Sequence, residues 1–142
     1  MDIRENFDNI KREISEACGK VDRSPEDIKV IAVTKYVTDA RVEQAIEVGV
    51  DAFAENRPQN YLERKQKYSD KEWHLIGSLQ TRKVRDVINH VDYFHALDRE
   101  SLAKEIEKRA EDKVNCFVQV NVSGEESKHG LTLHETIEFI KG

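Results

Sequence analysis

The chain has 142 residues, and its 23 Lys+Arg against 28 Asp+Glu give a net charge of −5. That balance argues against a general nucleic-acid binder, whose surface carries a basic excess, and no stretch approaches the roughly 20 apolar residues of a membrane span. Two cysteines, Cys18 and Cys116, form neither a disulfide framework nor a zinc pattern. The charged start is not that expected of a secretory leader, so the composition suits a reduced, cytoplasmic protein.

The first predicted element is an amphipathic helix over about 3–19. Ile3, Phe7, Ile10, Ile14 and Ala17 share one face of it, and Gly19 is a candidate stop. Ser24-Pro25-Glu26-Asp27 reads as a turn. Five apolar runs of strand character follow, over residues 30–34, 51–54, 72–76, 93–97 and 114–122. Their starts are spaced by 21 residues. Helical patterns lie between them over 40–48, 82–89, 100–110 and 131–141, the last with Thr132 and Glu135 spaced as a capping box.

Strand and helix alternating at short period means βα units and a parallel sheet, from about 28 to 142. A doubly wound sheet and a (β/α) barrel both accept this pattern. The even period, and the lack of a G-x-G-x-x-G turn, favour the barrel. A complete barrel has eight units over about 250 residues. With five strands, the chain is expected to be a single partial barrel domain, a portion of a longer protein. Its two unpaired sheet edges would favour self-association.

Active sites of parallel α/β folds lie at the carboxyl ends of the strands. Those ends carry Thr34-Lys35, Glu55-Asn56, Gly77-Ser78, Asp98-Arg99, and Asn121 with Ser123 and Lys128. Alternation places Ile31, Val33 and Lys35 on one face. A partly desolvated lysine there has a lowered pKa and is suited to imine formation; otherwise it is a solvated lysine leaving the strand. His74 shares a face with Ile76, either to meet a ligand or as a satisfied core histidine. The turn from Gly77 into Arg82-Lys83 offers N–H groups and cations to an anion, or the Arg82 to Arg85 face to RNA. It lacks the P-loop pattern. The five histidines give no metal-ligand spacing, and Cys116 reads as packing.

Four segments together resemble the pyridoxal phosphate homeostasis protein family. They are Ala32-Val33-Thr34-Lys35, Glu55-Asn56-Arg57, Trp73-His74-Leu75-Ile76-Gly77-Ser78-Leu79-Gln80, and Val120-Asn121-Val122-Ser123 with Ser127-Lys128-His129-Gly130. That family is similar to the N-terminal barrel domain of alanine racemase. The resemblance implies an incomplete TIM-type (β/α) barrel, with about five of eight units present. It implies pyridoxal 5′-phosphate held as a Schiff base on Lys35, with Asn56, His74, Asn121 and Lys128 around it. It further implies a non-catalytic role in intracellular cofactor and amino-acid balance, with cofactor-dependent enzymes as recipients. An amino-acid racemase or decarboxylase on the same barrel is the alternative reading.

Overall fold

The computed structural model describes residues 2–123 and 130–141. The chain falls into two compact units, Met1–Phe53 and Ala54–Gly142.

The first unit opens with α1 (Ile3–Lys20). The Asp2 carboxylate caps it, accepting from the Arg4 amide at 2.9 Å, which satisfies one of the amides a helix start leaves open. Ile3, Phe7 and Ile14 are half-buried and Cys18 is buried, whereas Ala17 is exposed. The buried stripe thus closes on Cys18, not on the expected Ala17. Gly19 lies inside the helix; the chain turns at Asp22, whose φ is 56°. A 3₁₀ turn, Pro25–Asp27, starts on Ser24. Then come β1 (Ala32–Val33), α2 (Asp39–Glu47) and the start of β2 (Ala52–Glu55). Thr38 caps α2 through its hydroxyl, 3.3 Å from the Arg41 amide. Val42, Ala45, Val50, Ala52 and Phe53 are buried here. β1 is shorter than the five residues predicted.

The second unit continues from the end of β2 through α3 (Pro58–Lys67) and β3 (Glu72–Leu75). It then runs through α4 (Val84–Val87), β4 (Tyr93–Leu97), α5 (Glu100–Arg109), β5 (Asn115–Val118) and α6 (Leu133–Lys141). Within it the strands stand in chain order, β2 to β5. β3 pairs parallel with β4 (His74 opposite Tyr93), and β4 pairs parallel with β5 (Phe94 opposite Cys116). The predicted helix over 82–89 is realised as α4 between two 3₁₀ turns, Thr81–Lys83 and Ile88–His90. The fifth strand ends at Val118, beyond which Val120 bridges to Leu131. The Thr132 hydroxyl accepts from the Glu135 amide at 3.1 Å, the main half of the expected capping box.

The sequence reading has no counterpart of α3. Proline suits its first turn because its missing N–H would be unpaired there anyway. Tyr61 is its buried residue, and it fastens the sheet. Its hydroxyl lies 3.1 Å from the Trp73 carbonyl and 3.0 Å from the His90 carbonyl, and accepts from the Asp92 amide at 3.0 Å. Both Asp92 carboxylate oxygens meet Lys65 Nζ at 2.6 Å, and one also accepts from the Trp73 amide. Trp73, Leu75, Phe94, Ala96, Leu102, Val84, Val87 and Ile88 complete the core.

Candidate functional site

Lys35 belongs to the first unit. It does not continue the strand: β1 ends at Val33, and Thr34 to Val37 form a turn closed by the Val37 amide on the Thr34 carbonyl at 3.1 Å. The third residue of that turn, Tyr36, has φ 63° and is 88% exposed. Alternation therefore fails at Lys35, and the side chain is exposed, which is the solvated lysine leaving the strand and not the partly desolvated one. Thr34, just before it, is buried. The turn presents the amine from the carboxyl end of β1.

The other described site residues belong to the second unit. Asn56 follows β2 and is half-buried. Gly77, after β3, has φ 83°, and a Cβ there would stand 3.3 Å from both the Asn56 Cβ and its carbonyl oxygen. Only glycine takes that conformation cheaply, so the close approach of these two strand ends depends on it. After β4, Arg99 donates to the Asp98 carboxylate at 2.8 Å and to the Leu79 carbonyl at 2.6 Å. It thereby ties the β4 end to the segment that follows β3.

Asn121 follows β5. Its amide donates to the Leu131 carbonyl at 2.7 Å, and the Leu131 amide returns a bond to Gln119 at 2.9 Å. Its side-chain oxygen accepts from Ser123 Oγ at 3.1 Å. A Cβ at Gly130 (φ 127°) would fall 2.9 Å from the Asn121 nitrogen, so glycine is required where this loop rejoins. Lys128 lies outside the described residues.

His74 lies within β3 rather than at a strand end and is 2% exposed. Both ring nitrogens are engaged: Nε2 with Glu72 Oε1 and Nδ1 with His95 Nε2, each at 2.7 Å. The ring stacks on Tyr93 at 4.5 Å, and His95 packs on Phe117 at 4.7 Å. Burial, and then the neighbouring His74, hold His95 below the ordinary imidazole range. His95, Glu72 and Tyr93 are the members of this cluster that the sequence reading did not name. The signal was present: His95 is 21 residues after His74, one strand period. Burial raises the thiol pKa of Cys116, in keeping with a packing role. Among the described residues no group of His, Cys, Asp or Glu could hold a metal ion, and no helix is long and apolar enough to cross a membrane.

Residues 3–142 match the family model described as alanine racemase, N-terminal domain. Curated relatives named pyridoxal phosphate homeostasis protein include those of Haemophilus influenzae and Escherichia coli. Each is 34% identical, over 99% and 97% of this chain respectively and 62% of the relative. The chain thus spans about 62% of the length of these relatives. Among solved structures, an unknown protein from Bifidobacterium adolescentis superposes with a TM-score of 0.87 at 27% identity, over 97% of this chain and 62% of that one. PipY of Synechococcus elongatus, solved with PLP bound, gives 0.74 at 24% identity over 90% and 62%, a likeness of fold alone. The alternation of strands and helices is that of an incomplete α/β barrel.

Proposed function

The chain belongs to the alanine racemase N-terminal domain family, and on that footing we propose that it takes part in binding and buffering pyridoxal 5′-phosphate, carried as a Schiff base on Lys35. The observation that carries the reading is the lysine itself. It stands at the carboxyl end of β1, on a turn that leaves its amine open to an aldehyde. The relatives named for pyridoxal phosphate homeostasis supply the chemical class of the ligand. When bound, the cofactor supplies an electrophilic aldehyde and an electron-withdrawing ring.

Taken singly, the proposed residues suit such a group. Lys35 offers a primary amine. Asn56 and Asn121 offer neutral amides at two further strand ends, Asn121 being held by its backbone bond to the Leu131 carbonyl. His74 offers a ring oriented by Glu72 and His95. Lys128 completes the proposed set. In this reading the chain is a carrier in the cytoplasm, one domain of partial-barrel kind, with cofactor-dependent enzymes as recipients. Copies self-associate through the edge at β5 and the apolar face of α6, where Phe117, Leu133, Ile137 and Ile140 are each more than half exposed.

The test is a titration of the purified chain with pyridoxal phosphate, followed by absorbance of the imine. Wild type develops the band and Lys35→Ala does not. An equal band in the Lys35→Ala chain would overturn the assignment.

A further inference from the structure

The cluster on β3 and β4 has a feature that cofactor anchoring does not use. Three titratable side chains stand in one hydrogen-bonded line, Glu72 Oε1 to His74 Nε2 and His74 Nδ1 to His95 Nε2, both 2.7 Å. A carboxylate only accepts, so His74 Nε2 must carry a proton. His74 Nδ1 then has two choices. It accepts from His95 Nε2–H when His74 is neutral, or donates to His95 Nε2 when His74 is an imidazolium. The two rings therefore cannot change protonation independently.

We propose that Glu72, His74 and His95 form a proton relay whose outer nitrogen, His95 Nδ1, takes a proton from a primary ammonium ligand such as an amino acid. This deepens the cofactor reading and rests on it, because an amine must lose a proton before it can attack an aldehyde. In the step, the N–H bond of the ammonium breaks and a bond to His95 Nδ1 forms. The Nε2–H proton of His95 passes to His74 Nδ1. The ligand leaves as a neutral amine with its electron pair, His95 stays neutral, and the positive charge rests on His74 beside the Glu72 carboxylate.

The surroundings favour this direction. His74 is the buried ring, yet it is the one beside the carboxylate, so its charged form is paired. His95 is held neutral by its own burial and by His74. The ring of Phe117, more than half exposed, packs on His95, and an exposed aromatic face attracts an ammonium. The bond of the Ile76 amide to the Glu55 carbonyl sets Ala54 opposite His74 on the β2 side. Among the described residues, Glu72, Tyr93 and His95 are titratable groups in contact with His74, and Phe117 packs on His95.

Ring-nitrogen NMR of the chain labelled at histidine, without cofactor, decides the relay. His74 Nε2 should stay protonated between pH 5 and 8, and both rings should move in one coupled transition. L-alanine, added above that transition, should shift His74 toward its imidazolium spectrum while His95 stays neutral and moves its proton from Nε2 to Nδ1. Glu72→Gln should lower the transition by about one pH unit or more, and Glu72→Asp should restore it. His95→Gln should abolish the alanine response. The relay is overturned by independent titration of the two rings, by a bare His74 Nε2 at neutral pH, or by an alanine response that survives His95→Gln. Coupled rings that respond to alanine, with no trapping at Lys35, would keep the relay and sink the cofactor reading instead.

Discussion

Removing one oxygen, in Tyr61→Phe, tests how the strands that carry the candidate site are held. The hydroxyl is fully buried and sits among three backbone groups. It has one proton to donate, shared between the Trp73 and His90 carbonyls, and it accepts one from Asp92. Two net hydrogen bonds at about 1 kcal/mol each are lost. The Asp92 amide then lacks its partner in a part-buried place, which adds about 1 kcal/mol. The sum is about 3 kcal/mol. Phenylalanine keeps the ring, so no cavity forms to add to this. At roughly 3 °C per kcal/mol for a chain of this size, the melting temperature should fall by about 9 °C. Burial also pushes the phenol pKa far above its ordinary value, so the wild-type bonds persist across the whole neutral range. Urea unfolding at pH 7 should show the lower midpoint with an unchanged slope. A loss below about 0.5 kcal/mol would refute the reasoning, because the hydroxyl would then contribute no more than a solvated one.

Three further outcomes follow from the same geometry. Gly77→Ala should cost about 1–3 kcal/mol from the left-handed backbone and weaken cofactor binding by displacing Asn56; urea unfolding and imine absorbance read the two effects. His95 has its folded pKa below the ordinary value of about 6.5, so the unfolded chain takes that proton first. The contribution is complete above pH 6.5 and is lost as the pH falls through the folded value. Wild type should therefore lose more stability between pH 7 and 5 than His95→Gln, as read by urea midpoints. Truncating the Thr38 cap to alanine should cost about 1 kcal/mol, read as a lower urea midpoint; an unchanged midpoint would show that the cap is replaced by solvent.

Much of the fold was legible because the strands are short apolar runs set one period apart. Ala52–Glu55, Glu72–Leu75 and Tyr93–Leu97 fall where those runs do. α3 was not legible because it lacks an apolar stripe; its buried anchor is one tyrosine whose partners lie 12 to 31 residues away. Lys35 was legible as a solvated lysine leaving the end of β1, but the turn that carries it was not. Alternation holds only while the backbone is extended, and Tyr36 breaks it in a turn that no glycine or asparagine announces. The contact of His74 with His95 was readable from their 21-residue separation. What a single run could not show was the pairing register that brings the two rings to one face.

The central claim is that one amine is chosen among thirteen lysines. It is tested by mixing the chain with pyridoxal phosphate, reducing with borohydride and mapping the adduct by mass spectrometry. The account predicts label concentrated on Lys35 and lost in Lys35→Arg. Label spread evenly over the exposed lysines, or none at all, would contradict it.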